Sequence, residues 1–454
     1  MPNRIVTILG RLRQDLAAGL TPEAITAAAR QAGHSWRQRL LDPVTTVSLF
    51  LMQVLHGHTA TSHVVQFGGG TFTDSAYGQA RKRLPLAVLH ALLERTAATL
   101  RDATAGTSDW FGHRVWVLDG SGFSMPDTAE LQRAFGQPGN QKPGCGFPVA
   151  RWLALFDVAT GMLLRSATAP LRTHDLGMAG DVADELKPGD VVLGDCGLCS
   201  YAHVAKLAAR GLHAVFRMHQ RRIVDFTPGR QEAKAKSKGT RAPGRPHSRW
   251  VRASGETDQV VIWYKPKGKP KWMTAEEYAE LPEEMMVREL RYRIDAPGFR
   301  TSEITSVTTL LDAAVYPAEA LADLYYRRWQ VELNFRHLKI TMKMDVLRCE
   351  TVDGVLKELA VFSLVYNLIR SAMVESGRLK GVAPERISLV DTWRWLVGDG
   401  EKDESVLRVN PERRGRIEPR VRKRRPKQYP LMKKPRSVLR AALRKQLAGK
   451  GVAA

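Results

Sequence analysis

Acidic residues are scarce in this chain. Its 454 residues carry 46 Asp and Glu against 69 Lys and Arg, a formal charge of +23. That imbalance excludes a charge-neutral globule and points to a polyanionic partner, which charge alone leaves as DNA, RNA or a membrane surface. Long apolar runs are also missing. No stretch reaches the roughly 18 residues that a spanning helix needs. The longest candidate, residues 44–55, is interrupted by Ser48 and Gln53. The first residues lack the apolar core of a signal peptide, so the expectation is a cytoplasmic protein with no membrane partner. Cysteine is sparse, at Cys145, Cys196, Cys199 and Cys349, which excludes a disulfide framework and fits a reducing compartment. Cys196 and Cys199 have CxxC spacing. A zinc site needs a second such pair, and the other two cysteines stand alone, so the motif reads as small buried residues after a strand.

What is present divides the chain. Its length exceeds what a single core usually supports, so several domains are expected. Residues 1–105 read as all-helical. Thr21-Pro22-Glu23 supplies a cap and an N1 proline, and Asp74-Ser75 opens a short helix bearing Arg81, Lys82 and Arg83 before Pro85. Those three cations suit a DNA-docking helix, with a plain amphipathic bundle as the alternative. From about 106 to 219 the pattern turns to α/β. Val115 to Asp119 and Asp190 to Asp195 are apolar strands closed by carboxylates. Residues 125–147 are rich in Gly and Pro and read as loop. A hairpin turns at Ala159-Thr160-Gly161, and residues 200–210 and 213–218 read as helix and strand. Residues 220–312 form a basic loop followed by strands at 260–264, 285–294 and 303–311, a β-rich insertion. Residues 313–400 resume the α/β domain, with helices at 318–342 and 353–375. Residues 401–454 are a basic tail. Between Arg408 and Lys445 stand sixteen Lys or Arg and two acids, centred on Arg422, Lys423, Arg424 and Arg425, which favours phosphate contacts over a merely solubilising role.

The helix at 318–342 has two faces. Leu324, Val331, Phe335, Leu338 and Met342 make an apolar seam. Tyr325, Arg328, Glu332, Arg336 and Lys339 make a second stripe, about 90° around the axis at 3.6 residues per turn. The bland alternative is a surface array of i,i+4 ion pairs. Set beside two aspartates at strand ends, however, the stripe supplies a third carboxylate and several cations. Strand ends in α/β sheets are where sites form. Asp119, Asp195 and Glu332 together offer hard oxygen ligands for two divalent cations, the arrangement that clamps the attacking and leaving oxygens of a phosphoryl transfer. Taken singly, each aspartate is more often a turn residue than a ligand.

The pattern Tyr-x2-Arg-x3-Glu-x6-Lys, met by Tyr325, Arg328, Glu332 and Lys339, resembles the signature of the DDE transposases of the insertion-sequence-4 type. Leu118-Asp119-Gly120-Ser121 and Leu193-Gly194-Asp195-Cys196-Gly197 resemble that family's two aspartate blocks. Residues 36–41 and 53–57 resemble its N-terminal domain. The resemblance implies a ribonuclease-H-like catalytic domain carrying a β-rich insertion, preceded by the all-α N-terminal domain and followed by the basic C-terminal tail. It implies two Mg²⁺ ions, with Mn²⁺ as a substitute, held by Asp119, Asp195 and Glu332. Tyr325, Arg328 and Lys339 would grip phosphates near the element's terminus. The implied partners are double-stranded DNA, both element ends and target, and a second copy of the chain in a synaptic dimer, with no nucleotide cofactor. Such a protein would associate with the bacterial nucleoid. Relatives with this signature pass through a DNA hairpin and park a flipped base on an aromatic of the insertion, for which Trp250, Trp263, Trp272 and Tyr292 are candidates. The competing functions are a two-metal nuclease without strand transfer, a catalytically silent DNA-binding descendant, and a zinc-binding regulator.

Overall fold

The computed structural model describes residues 18–104, 109–231, 246–293, 303–398, 407–411 and 432–449. Helices come first: α1 (Pro22–Gln31), α2 (Pro43–Leu55), α3 (Thr61–Phe67), α4 (Asp74–Arg83) and α5 (Leu86–Ala103). The side chains of Thr21, Asp42 and Thr73 accept from backbone amides in the first turns of α1, α2 and α4, satisfying donors that a helix start leaves unpaired. Val47, Phe50, Leu51 and Val54 of α2 are buried, so this helix is a core element of the domain.

Strand β1 (Val115–Ser124) follows, then α6 (Ala129–Phe135), β2 (Val149–Asp157), β3 (Leu163–Pro170), α7 (Leu176–Ala183), β4 (Val191–Gly194), α8 (Tyr201–Ala209) and β5 (His213–Arg217). Helix α6 corrects the expectation of continuous loop over 125–147. Thr128 caps it, and it buries Leu131 and Phe135 four residues apart. The next strands are β6 (Ser248–Gly255), β7 (Asp258–Tyr264), β8 (Glu284–Arg293) and β9 (Glu303–Thr308), with α9 (Ala275–Glu280) between β7 and β8. The basic stretch 220–250, expected as loop, thus ends in a strand.

The nine strands among the described residues join one sheet, in the order β3-β2-β1-β4-β5-β9-β8-β7-β6. The β1–β4 and β4–β5 pairs are parallel and the others antiparallel. The later strands therefore extend the same sheet from β5 outwards. Alternation assigns the faces. Val115, Val117, Val191, Leu193 and Val215 enter the core shared with the N-terminal helices, whereas Trp116, Leu118, Val192, Ala214 and Phe216 enter a second core beneath α7 and α8.

The expected single helix over 318–342 is broken. Helix α10 (Ala318–Arg327) ends at Arg328, α11 (Gln330–Arg336) restarts after Trp329, and a π-helical turn occupies His337–Thr341. Helix α12 (Val352–Lys380) is a long buried column capped by Thr351, and α13 (Leu389–Val397) packs against it. Helix α14 (Arg436–Gly449) is joined to the body at its start, where Arg436 pairs with Asp127 and lies over the Phe147 ring. No helix among the described residues is long and apolar enough to cross a membrane.

Candidate active site

The parallel register sets Leu118 beside Gly194, so Asp119 and Asp195 follow one another at the same end of adjacent strands. Alternation places both carboxylates on the face covered by α10 and α11. Asp119 sits within β1 and Asp195 one residue beyond β4. Each also closes a turn-like bond: the Gly120 amide donates to Asp119 Oδ1 at 2.8 Å, and the Gly197 amide to Asp195 Oδ1 at 2.8 Å. The turn and ligand readings of these aspartates are compatible, since one oxygen remains for other partners.

Burial pushes the Asp119 carboxyl up to about 6. The Arg328 guanidinium and the Gly120 amide pull it down, while negative charge on Asp195 and Glu332 adds to the push. The three acids therefore share one electrostatic field, although no three Asp, Glu, His or Cys side chains among the described residues stand grouped tightly enough to hold a metal ion. Arg328 Nη1 lies 3.5 Å from Asp119 Oδ2. Arg328 is buried, its guanidinium 4.9 Å from the centre of the Trp329 ring and 5.6 Å from that of Tyr325, and its Nε has no hydrogen-bond partner. Burial pushes the Tyr325 phenol up to about 12 against the pull of nearby Arg328 and Arg217, and its hydroxyl meets no partner of ordinary hydrogen-bond geometry. A buried hydroxyl and guanidinium with spare donors beside a carboxylate pair suit an incoming anion.

The break between α10 and α11 distributes the expected stripe over three segments. Tyr325 belongs to α10, Arg328 to the junction, Glu332 and Arg336 to α11, and Lys339 to the π-turn. Glu332 and Arg336 are exposed. Lys339 turns back to β1, donating to Ser121 Oγ at 3.1 Å and to the Gly122 carbonyl at 2.6 Å, and burial lowers its pKa. π-Turns recur at functional sites because they re-aim side chains.

Other expected site residues lie elsewhere. Arg81 turns inwards: its guanidinium lies 3.8 Å over the Phe50 ring and donates to Gln53 Oε1 and Cys349 Sγ, while Lys82 and Arg83 are exposed. Arg422, Lys423, Arg424 and Arg425 lie outside the described residues. Burial pushes the Cys199 thiol up to about 12, so it is no ready thiolate ligand. Of the insertion aromatics, Trp263 is fully buried on the face away from the carboxylates, bonded through Nε1 to Glu289 and covered by Arg222. Trp272 is partly buried in that same core, and Trp250 lies on the edge strand with its Nε1 buried and unpaired. Tyr292 faces the carboxylate side, bonded to Ser306 Oγ at 3.0 Å.

Sequence reasoning passed over three contributors. Ser121 receives Lys339. Asp175, held by both nitrogens of an Arg151 fork, lies so close behind Gly120 that a Cβ there would meet its Oδ2 at 2.5 Å. Glu358, fully buried on α12, accepts from the Arg348 and Cys349 amides and pairs with His58 at 2.6 Å, anchoring the loop after the π-turn. Glu358 was hidden by its position in a long apolar helix; the dipeptide Asp119-Gly120 carried a signal for a close backbone approach.

The donor set is all oxygen, and a carboxyl held at about 6 by burial and by two acidic neighbours is one that a divalent cation would relieve. The donor chemistry fits a hard metal ion, although the three carboxylates are not drawn together around one position here.

Residues 110–368, more than half of the chain, match the family model described as transposase DDE domain. The chain is 26% identical over 377 residues to the transposase InsG for insertion sequence element IS4 of Escherichia coli (strain K12), covering 78% of each. It is 30% identical over 129 residues to the putative transposase InsZ of the same organism, which is 28% of this chain and 43% of that one. Among solved structures, a piggyBac transposase synaptic complex with hairpin DNA aligns over 86% of this chain and 77% of that chain, at a TM-score of 0.38 and 10% identity.

Proposed function

Because this chain belongs to the transposase DDE-domain family and is an insertion-sequence transposase of the insertion-sequence-4 type, we propose that it excises its element by cut-and-paste chemistry, binding double-stranded element ends and joining them to target DNA. The observation that carries this reading is the pair Asp119 and Asp195, at the same end of neighbouring parallel strands and in one field with Glu332. We read the order β3-β2-β1-β4-β5 as the ribonuclease-H-like core, with residues 220–312 as its insertion, residues 1–105 as a DNA-binding domain and residues 401–454 as a DNA-contacting tail.

Asp119, Asp195 and Glu332 would hold two Mg²⁺ ions, or Mn²⁺ in their place. When bound, such ions supply activation of water or a 3′-hydroxyl and neutralise charge on the departing oxygen. The chain's own residues do the rest. Tyr325 and Arg328 present a hydroxyl and a guanidinium to the non-bridging oxygens of the phosphate, and their burial strengthens both contacts. Arg328 is engaged with Asp119 in the free protein, so arrival of the phosphate gives it a second anionic partner. Lys339 fixes the end of β1 through Ser121 and Gly122 and thereby the position of Asp119. Hydrolysis breaks the P–O3′ bond and leaves a 3′-hydroxyl, which attacks a target phosphate with the target's own 3′-oxygen as leaving group. The energy of one phosphodiester passes to another, so no nucleotide cofactor enters. A homodimer working on the nucleoid would bring two ends together.

The test uses purified chain and a duplex carrying the DNA that borders its coding region, with and without Mg²⁺. Asp119→Ala, Asp195→Ala and Glu332→Ala are expected to lower cleavage on the order of a thousandfold or more while DNA binding persists. Normal turnover in any of the three removes this assignment. Cleavage without joining would reduce the chain to a nuclease, and binding without cleavage would make it a silent descendant.

A further inference from the structure

The turn that carries Asp195 also holds a pair of thiols. Cys196 and Cys199 flank Gly197 and Leu198, and both cysteines are free and half-buried. The Gly197 amide donates to Asp195 Oδ1 at 2.8 Å, and the Leu198 amide to the Asp195 carbonyl at 3.2 Å. A bridge between the thiols would enclose these same two residues and no others. The turn is tight: a Cβ on Gly197 would lie 3.1 Å from Asp195 Oδ1. Residues three apart around such a turn stand near the Cα separation of roughly 4.4–6.8 Å that a disulfide needs. Cys196 lies close enough to Cys199 for its charge to act on that thiol, as does Asp195.

The surroundings give the two sulfurs different parts. Cys199 packs against the core beneath α8, just before Ser200 caps that helix. Burial pushes its thiol up, and the Arg222 guanidinium pulls it back down. Arg222 is itself held 3.4 Å over the Trp263 ring, so the cation beside Cys199 is fixed. A neighbouring cation favours the thiolate, the form that attacks another sulfur. Cys196 stands on the turn and belongs to neither core. Packing therefore accounts for Cys199 but gives no reason for a thiol at Cys196, one residue after a site carboxylate.

We propose that Cys196 and Cys199 form an oxidation site: hydrogen peroxide closes them into a disulfide that takes Asp195 out of position and halts cleavage, and a thiol reductant reopens it. This rests on the transposase reading above. The Cys196 sulfur attacks one peroxide oxygen. The O–O bond breaks, Cys196 becomes a sulfenic acid, and the other oxygen leaves as water with the thiol proton. The Cys199 sulfur then attacks the Cys196 sulfur. The S–S bond forms, the S–O bond breaks, and the hydroxyl leaves as a second water with the Cys199 proton. The two thiols give up two electrons and two protons, and the peroxide takes up both. Drawing Cys196 onto Cys199 re-folds the two residues between them and takes the Gly197 and Leu198 amides off Asp195. Exchange with a reducing thiol restores the turn.

The experiment uses the full chain, first reduced, then exposed to hydrogen peroxide and freed of the excess. Mass spectrometry of an unreduced digest is expected to show Cys196 bridged to Cys199, the peptide lighter by two hydrogens. Cleavage of the same bordering duplex in Mg²⁺ is expected to fall on the order of a hundredfold, the usual result of misplacing a catalytic group by about 1 Å. It should return on adding dithiothreitol, while duplex binding in EDTA is the same in both states. Cys199→Ala should cleave like wild type when reduced and keep cleaving after peroxide. Should thermal melting show that variant unfolded, Cys199→Ser, which cannot form the bridge either, takes its place. A chain lacking the other two thiols, Cys145→Ala with Cys349→Ala, should respond to peroxide as wild type does. Absence of the bridge, a bridged chain that cleaves at the reduced rate, or equal loss of activity in Cys199→Ala would each overturn the proposal while leaving the transposase reading intact. A reduced wild-type chain that neither binds nor cleaves this duplex would overturn both.

Discussion

The two halves of the site are built differently. The strand-borne half, Asp119 and Asp195, takes its geometry from a backbone ladder. Four register pairs between β1 and β4 fix where both side chains begin, and strand neighbours are roughly 4.8 Å apart whatever the side chains do. The helix-borne half has no such ladder across it. Tyr325, Arg328, Glu332 and Lys339 are spread over α10, a junction, α11 and a π-turn, and each is placed by its own contact. Disturbing the first half means disturbing the sheet. The second half moves contact by contact, which suits residues that must re-aim when DNA arrives.

That contrast can be broken most severely at the anchor of the helical half. Burial alone would raise the Glu358 carboxyl, but His58 and the amides of Cys349 and Arg348 outweigh it and hold its pKa below the ordinary value. Glu358→Ala leaves these donors unpaired and should cost about 3–5 kcal/mol of stability at neutral pH, read by urea unfolding. The sign follows from the lowered native pKa: this stabilisation is present above the ordinary glutamate value and is lost as pH falls through the native one. The gap between wild type and variant should therefore narrow below about pH 4. An equal gap at acid and neutral pH would show that Glu358 stabilises by packing alone.

Next in size is the junction. Arg328→Ala should remove about 1.5–3 kcal/mol of charged hydrogen bonding to substrate, seen as a matching loss in kcat/KM. Arg328→Lys should recover little of it, because the fork is lost. Full recovery by lysine would mean that charge alone, without geometry, is read there.

Within the strand-borne half, Gly120→Ala sets a methyl against the Asp175 carboxylate. About 1–3 kcal/mol of destabilisation is expected, measured by melting, with cleavage falling alongside because β1 must shift. Unchanged melting would show that the Arg151–Asp175 pair yields freely. The smallest effect is at the tie between the halves. Ser121→Ala removes one acceptor of Lys339 and should cost about 0.5–1.5 kcal/mol, leaving the Gly122 carbonyl bond. A larger loss in cleavage than in stability would show that the tie aims Asp119 rather than merely holding the fold.

Much of the strand-borne half was legible in the chain. An apolar run ending in Asp is readable without a structure, and two such runs separated by a helical stretch suggest parallel neighbours. The helical half misled because its apolar seam runs past the break. The one clue was the interval of seven from Leu324 to Val331, twice the spacing found elsewhere in the seam. Strand β6 escaped notice because Ser248-Arg249-Trp250-Val251-Arg252 has no two-residue alternation. It is an edge strand with Arg249, Val251 and Arg252 exposed, so little burial disciplines its sequence. Helix α6 was obscured by the glycines and prolines around it.

The bond between β5 and β9 limits how such a chain can change in length. Excising β9 together with the strands before it would strip β5, the strand next to Asp195, of its outer partner and leave a row of amides and carbonyls bare beside the carboxylate pair. Additions and losses can accumulate only at the far margin, around β6 and β7, where the chemistry does not feel them. Protein engineers seeking to graft a new reader of DNA sequence onto this scaffold would find their attachment point there.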